Sequence, residues 1–217
     1  MLPPRVNVMS LMPLLRSFHR WNAALLGLFL TLHLATHAAG MAGVAAHLAV
    51  LRRLREIYRG MLTETLLIGL FAVQILLGVA LAFGRGWPRG GWAWLQVLSG
   101  GYLVFFLLQH VPAILLARMQ EPPLDTDSHF AAAVVSRAPF VFYFGPYYAL
   151  ALAALAAHLA AALRFRNWPA PAPLWLRLLP LAGLAFGLAV VAGLSGLWSP
   201  VPLPPANAAY LERLRAW

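Results

Sequence analysis

Residues 21–43 read WNAALLGLFLTLHLATHAAGMAG and contain no Asp, Glu, Lys or Arg. A bilayer core about 30 Å thick needs roughly 20 consecutive apolar residues in helical form, so this stretch is long enough to cross it. It is also longer than the roughly 7–15 apolar residues that form the hydrophobic region of a secretory signal peptide. We therefore predict that residues 21–43 form a retained transmembrane helix.

Four further stretches have the same length and apolar character. They cover residues 62–83, 98–117, 140–163 and 176–198. Aromatic belts mark the two membrane–water interfaces, and six tryptophans fall near the predicted ends of these stretches: Trp87, Trp92, Trp94, Trp168, Trp175 and Trp198. The sequence thus predicts an all-α integral membrane bundle of five transmembrane helices, forming a single membrane domain over residues 1–217.

The composition supports this fold class. Hydrophobic residues make up 62% of the chain and charged residues 10%, whereas a soluble domain is about one quarter charged. All 16 basic residues are Arg, against six acidic residues, for a net charge of +10. On a soluble fold such a charge would indicate nucleic-acid binding. Here the Arg residues lie between apolar stretches, so we expect contacts with membrane lipid, including anionic headgroups, and no binding of nucleic acid.

The same charges leave the orientation in the membrane open. With five spans, eight Arg residues fall on each side. Because the positive-inside rule depends on an excess of Lys and Arg in the cytoplasmic loops, it does not choose between the two orientations.

The first span carries histidines on one face. A helix turns by about 100° per residue, so His37 lies about 40° from His33. If the helix continues as an amphipathic segment to Val50, His47 lies about 40° on the other side. Gly40 falls between them, where a flat cofactor could approach the backbone. Ionisable groups inside a membrane span are costly and indicate a functional site by default. The alternative is a structural stripe in which each His forms an interhelical hydrogen bond.

Two histidines are predicted to lie at the same depth. His33 follows Trp21 by 12 residues, and His110 follows Leu98 by 12 residues. The first and third spans run in the same direction, so both imidazoles lie roughly 18 Å from the N-terminal side. His158 on the fourth span lies roughly 7 Å from that side, and Gln74 on the second roughly 13 Å. We therefore expect polar groups in two layers.

A weak internal repeat accompanies this arrangement. Residues 28–33 read LFLTLH and residues 105–110 read FFLLQH, each near the middle of a predicted helix. The repeat places His33 and His110 in equivalent positions of their helices.

Two level histidines on different helices match the ligand set of haem b, whose iron binds one neutral imidazole on each face. A bare redox metal or zinc needs more ligands, and the spans offer only Glu64 near an end. The chain has no Cys, which excludes iron–sulfur clusters and the covalent attachment of c-type haem. We predict that His33 and His110 bind haem iron, with three further cofactor-binding candidates: His158, Gln74 and His37.

This pattern resembles the membrane-anchor superfamily of succinate dehydrogenases and fumarate reductases, and more narrowly its five-helix, single-chain cytochrome b subunits. The resemblance implies two stacked haems b on four helices, with ligands spaced by about forty residues. His33 and His110 would hold one haem, and Gln74 and His158 correspond to the other pair. Gln74 stands where the family has His, so the second haem stays open.

The resemblance also implies a quinone site at the entrance of the first span. Related anchors carry a Ser, a His-Arg pair and a small residue near bound quinone, and this chain has Ser17, His19 and Arg20 but replaces the usual Ser/Thr-Gly with Asn22-Ala23. The alternative is an interfacial anchor in which Arg20 reaches the headgroups. Flavoprotein and iron–sulfur subunits would be partners, in a bacterial inner membrane or, alternatively, a mitochondrial membrane.

Two features between the spans are open to more than one interpretation. Asp127 and His129, in the loop after the third span, could relay protons to a quinone, but a solvated connector is the simpler interpretation. Tyr147 and Tyr148 open the fourth span as a predicted interfacial belt.

We expect an electron-transfer subunit that moves electrons between a quinone pool and a partner redox subunit. Whether the chain is itself an enzyme stays open. A haem-free membrane scaffold or lipid-handling protein with structural histidines is the alternative. A secondary transporter is a third hypothesis, although five spans do not divide into two equal halves.

Overall fold

The computed structural model describes residues 8–167 and 171–215, and Trp168 lies outside the described residues. Over these residues the chain forms eight helices and no strand, so the predicted all-α class is confirmed. The helices are α1 (Val8–Gly40), α2 (Val44–Tyr58), α3 (Met61–Gly84), α4 (Gly91–Arg118), α5 (Ser128–Val135), α6 (Val141–Asn167), α7 (Leu174–Leu194) and α8 (Pro205–Arg215).

Five of these helices are long and apolar enough to cross a membrane, namely α1, α3, α4, α6 and α7. Their bounds differ from the predicted ones at several ends. Helix α1 already includes Arg16 and Arg20, which are exposed, because the apolar run marks the hydrocarbon depth while a helix can continue into the headgroup region. Helix α7 stops at Leu194 instead of Trp198, since Gly196 adopts a positive φ of 83° that ends it.

The first span does not continue to Val50, and that prediction is wrong. The N–H groups of Met41, Ala42 and Gly43 bond to carbonyls three residues back, which tightens the last turn of α1. Gly43 then takes a φ of 115°, a conformation that L side chains rarely adopt. The chain therefore turns, and His47 belongs to the separate helix α2.

The spans pack in two layers. In the first, α1 packs against α3; in the second, α6 packs against both α4 and α7. The α6–α7 contact is close because Gly183 and Gly187 of α7 face the α6 backbone. A Cβ atom on Gly187 would lie 2.7 Å from the carbonyl oxygen of Ala149. Small residues at such contacts are typical of helix packing in membranes.

Few close backbone contacts join the two layers in the part of the chain that the structure describes. Among the described residues, the backbone of α1 makes almost no close contact with that of α4 or α6. Closer backbone contacts between the layers occur where α1 meets α7 and where α3 meets α4. We refer to the region between α1 and α3 on one side and α4 and α6 on the other as the seam. The contacts across the seam are made mainly by side chains.

Two shorter helices cover one end of the bundle. Helix α5 contributes Ala133, Val134 and Val135 to a buried cluster with Val190 of α7 and Leu211 of α8. The residues after the third span are therefore only partly a solvated connector. Asp125 is exposed, but Asp127 caps α5 by accepting a hydrogen bond from the His129 N–H.

Candidate functional site

His33 of α1 and His110 of α4 meet across the seam. Their ring centres are 6.3 Å apart, with the ring planes at 67°. Both side chains keep part of their accessible surface although they lie in the middle of the bundle. The two histidines predicted to lie at one depth are thus brought together.

When two imidazoles bind one metal, the bond lengths determine the distance between their ring centres. A bond between a metal and an imidazole nitrogen is roughly 2 Å long, and each nitrogen lies about 1.1 Å from the centre of a planar ring with bonds of about 1.33 Å. Two imidazoles on opposite sides of one metal therefore have ring centres about 6 Å apart. The spacing of His33 and His110 fits this requirement.

Each of the two imidazoles is held by a phenylalanine four residues earlier on its own helix. Phe29 stacks on His33 with ring centres 5.5 Å apart, and Phe106 stacks on His110 at 4.8 Å. The interplanar angles are 16° and 17°. The weak repeat in the sequence therefore corresponds to the same local arrangement on two helices, facing each other across the seam.

The donor set is suited to haem and not to a bare metal ion. Within residues 8–167 and 171–215, no group of three or more His, Asp or Glu side chains is arranged to hold a metal. Haem needs only two axial ligands from the protein, because the porphyrin supplies the other four. Two imidazoles between apolar helices are sufficient for that cofactor.

His37 lies beside His33 and extends the cluster along α1. The Nε2 atoms of the two rings are 3.3 Å apart, so a single hydrogen is shared between two nitrogens. The ring of His47 on α2 is 5.6 Å from that of His37. The predicted stripe therefore exists in space, although its third member comes from another helix.

A small cavity lies between His37 and His47. Its volume is about 20 Å³, and Gly40, Val44 and Ser128 are among the residues that line it. Four buried polar atoms around it make no hydrogen bond within the protein: His37 Nδ1, both ring nitrogens of His47 and Ser128 Oγ. A polar cavity above roughly 10–15 Å³ can hold one water molecule, which would satisfy several of these atoms.

His47 is outside the membrane-spanning segments, and its protonation is set by its surroundings. Burial lowers its pKa below 6.5, Asp127 raises it, and Arg55 and His129 lower it further. His129 Nδ1 in turn lies 3.0 Å from an Asp127 oxygen, and both of these side chains are largely buried. The predicted Asp127–His129 pair thus exists at the end of the bundle that His47 occupies.

A second polar cluster surrounds His19 on α1. Asn22 Nδ2 donates hydrogen bonds to Gln74 Oε1 at 2.7 Å and to the Leu70 carbonyl oxygen at 2.9 Å. The amide nitrogen of Gln74 lies 3.2 Å from His19 Nε2. Gln74, a predicted cofactor ligand, therefore contacts the polar side chains of its neighbour helix α1.

His158 of α6 lies on the other side of His19. The His19 and His158 ring centres are 6.5 Å apart. His158 Nδ1 donates to the Gln96 carbonyl oxygen at 3.2 Å and lies 3.3 Å from Ser99 Oγ. His19 thus faces both members of the Gln74–His158 pair that the family resemblance implies.

The three residues predicted to contact quinone point in different directions. His19 lies within the bundle, Ser17 is half-buried, and Arg20 is exposed. The inward position of His19 was missed by sequence reasoning. The signal was available, because His19 lies about four helical turns before His33 and so about 40° from it on the same face of α1.

The aromatic residues of α6 pack against the His110 side of the seam. Tyr147 donates a hydrogen bond to the Phe106 carbonyl oxygen at 2.9 Å. The Tyr148 ring lies edge-on to His110, with centres 6.3 Å apart. These tyrosines, whose position at the membrane interface stays a prediction, help to hold the helix that carries His110.

Comparison of the chain with protein-family models, curated proteins and solved structures finds no match. The geometry of the two histidine clusters is therefore the basis for assigning a function.

Proposed function

We propose that this protein is a membrane-embedded b-type cytochrome in which His33 and His110 would hold the iron of a haem. The single observation that carries the proposal is the 6.3 Å separation of their ring centres across the seam. The ligands come from two helices whose backbones are not packed together, which is the arrangement that a flat cofactor between them requires.

The chain's own residues would fix the position and surroundings of that site. Phe29 and Phe106 hold the planes of the two imidazoles, and the apolar helices exclude water. His37 competes for the Nε2 atom of His33 and gives that nitrogen a polar partner when it binds no metal. When bound, haem b supplies one-electron redox chemistry, and the protein sets its potential through ligand identity and burial.

The wider role follows from the resemblance to succinate dehydrogenase and fumarate reductase anchors and is part of the same proposal. The protein would move electrons between a quinone pool and a partner redox subunit that carries flavin or iron–sulfur centres. We propose a bacterial inner membrane as its location, with a mitochondrial membrane as the alternative. Quinone would approach from the end of α1 that carries Ser17 and Arg20.

A haem-free membrane scaffold is the second candidate function. It is favoured by the hydrogen bond between His33 and His37, which gives both imidazoles a partner without a cofactor. In this case the interhelical hydrogen bonds of the histidines, such as the one between Gln74 of α3 and His19 of α1, contribute about 0.6 kcal/mol each.

Reduced-minus-oxidised difference spectra of the purified protein, expressed with an adequate haem supply, separate the two functions. The cytochrome proposal expects a low-spin b-type α-band, and His33→Ala and His110→Ala should each abolish the same haem. His129→Ala, a histidine outside both clusters, is the matched control and should keep the spectrum. A wild-type protein without an α-band would favour the scaffold, and loss of haem in only one of the two variants would refute the pairing.

A further inference from the structure

The seam contains a second place where two histidines face each other. His19 of α1 and His158 of α6 have ring centres 6.5 Å apart. That distance is close to the 6.3 Å between His33 and His110, and to the separation of about 6 Å for two imidazoles on one metal. A metal can bind this second pair only through ring nitrogens that carry a lone pair.

The hydrogen bonds of His158 leave one nitrogen for a ligand. A carbonyl oxygen accepts only, so the bond to the Gln96 carbonyl places the hydrogen of His158 on Nδ1. Nε2 therefore carries the lone pair. A backbone carbonyl that fixes the tautomer in this way is the usual companion of a metal-binding imidazole.

The hydrogen bonds of His19 lead to the same tautomer. Because Asn22 donates to Gln74 Oε1, the group that faces His19 Nε2 is the Gln74 amide nitrogen, which can only donate. His19 Nε2 is thus the acceptor, and the hydrogen lies on Nδ1, which is buried without a partner. At both positions on α1, His19 and His33, Nε2 contacts a neighbouring nitrogen that a metal would replace.

Glycines on two helices allow the backbone to approach both rings. A Cβ atom on Gly78 of α3 would lie 3.4 Å from His19 Cε1, and one on Gly100 of α4 would lie 3.1 Å from His158 Cε1. Almost no close backbone contact joins α1 to α6 in the described part of the chain. The two imidazoles therefore meet across the seam, as the first pair does.

We propose that His19 and His158 would hold the iron of a second haem b. Gln74 is then a positioning residue that holds His19 and is not an iron ligand. This inference rests on the proposed function, because it assumes the same cofactor, but it uses different residues from the first site. It replaces the Gln74–His158 pairing with one in which α1 supplies a ligand to each haem.

The distance between His19 and His33 along α1 implies a role for the second site. His19 and His33 lie on the same face and about four helical turns apart, which is roughly 21 Å along the helix. The two haem positions are therefore at different depths in the membrane. Electrons could then pass between redox partners on opposite sides of the bilayer, and not only along one surface.

The test measures haem stoichiometry and potential in the full-length protein. Pyridine haemochrome assays should give two haems per wild-type chain, and redox titration should resolve two components. His19→Ala and His158→Ala should each lower the ratio to one and remove the same component. The haem that remains on His33 and His110 reports that the fold of each variant is intact.

Two further variants make the ligand assignment specific. Gln74→Leu should keep two haems but shift the redox potential of the second one, because Gln74 positions His19 without supplying a ligand. His129→Ala should keep both haems and both potentials as the histidine control. Loss of the second haem in Gln74→Leu together with its retention in His19→Ala would overturn the assignment. One wild-type haem, removed by His33→Ala, would refute this inference and leave the proposed function standing, whereas no wild-type haem would refute both.

Discussion

At the scale of single residues, one ion pair links two spans near their ends. Arg118 at the end of α4 binds both carboxylate oxygens of Glu64 at the start of α3, and each side chain is 25% exposed. We expect Glu64→Gln to lower the free energy of unfolding by about 1–2 kcal/mol, between the values for exposed and buried pairs. Reversible unfolding in detergent micelles, followed by circular dichroism, measures this change.

The exposed pair between Arg215 and Glu212 of α8 provides the matched control. These side chains are 41% and 65% exposed and lie three residues apart on one helix. Glu212→Gln should change the free energy of unfolding by less than about 0.5 kcal/mol. Equal losses in the two variants would show that the α3–α4 pair has no special role.

His47 should make the stability of the protein depend on pH. Burial lowers the pKa of His47 below 6.5 in the folded state. As the pH falls below 6.5, the unfolded chain therefore binds a proton at His47 before the folded chain does. His47 therefore contributes stability above pH 6.5 that is lost progressively at lower pH. Thermal unfolding midpoints measured from about pH 7.5 to pH 5 should fall more steeply for the wild type than for His47→Gln.

The difference between the two proteins isolates His47 from the other histidines. Asp127, Arg55 and His129 act on the pKa of His47 and are present in both proteins. Parallel curves for wild type and variant would contradict the assignment of a lowered pKa to His47.

At the scale of helices, the α6–α7 contact depends on the absence of side chains on α7. A Cβ atom on Gly187 would lie 2.7 Å and 2.8 Å from the carbonyl oxygen and Cα of Ala149, both backbone atoms that cannot move alone. We expect Gly187→Val to destabilise the bundle by about 1–3 kcal/mol or more, as overpacking does. The unfolding midpoint in detergent, compared with wild type, is the measurement.

Gly69 of α3 is the control for this substitution. A Cβ atom there meets nothing within 4 Å, so Gly69→Val adds surface without a clash. Its midpoint should stay near that of wild type. A similar loss in both variants would mean that glycine as such, and not the close approach of α6 and α7, determines the effect.

The helices also show what apolar patterning predicts and what it leaves out. All five spans were predictable because an apolar run of about 20 residues can cross a bilayer as a helix, which satisfies its own backbone hydrogen bonds. The break at Gly40–Gly43 was not, since residues 44–50 continue the same amphipathic pattern and only the positive φ of Gly43 redirects the chain. Helix α5 was missed because a buried eight-residue helix has too few residues for its periodicity to be distinguished from that of a loop.

At the scale of the whole molecule, a cofactor in the seam should join the two layers. A ligand that binds only the folded chain stabilises it by about 2.7 kcal/mol at a free concentration one hundred times its dissociation constant. On the proposed function, haem-loaded protein should unfold at a higher temperature than protein from haem-depleted cells. Scanning calorimetry of both preparations in one detergent measures the difference.

His33→Ala and His110→Ala serve as controls for that comparison. In each variant, haem supply should raise the unfolding temperature less than it does in the wild type, because the haem at this pair is missing. The unfolding temperature of the haem-depleted protein should change little. A wild-type midpoint that is the same with and without haem supply would argue against a cofactor that links the layers.

Part of the candidate site could be predicted, because the depth of a residue in the membrane follows from its distance along the helix to the end of the span. His33 and His110 were expected to be level from their distances to the span ends, and they face each other. The contact between His19 and His158 was not expected, because the predicted first span began at Trp21 and left His19 outside the bundle. Apolar composition does not reveal that a helix continues past the hydrocarbon, so it does not place polar side chains such as His19 near the beginning of that helix.

The two-layer arrangement has a consequence for how the chain is built in the cell. The seam coincides with a division of the sequence, since α1 and α3 precede the loop at residues 85–90 and α4, α6 and α7 follow it. Chains emerge from the ribosome in sequence order and pack as they do so. The N-terminal pair of spans can therefore form its contacts before the rest is synthesised, whereas the seam can close only after α4 and α6 have been made.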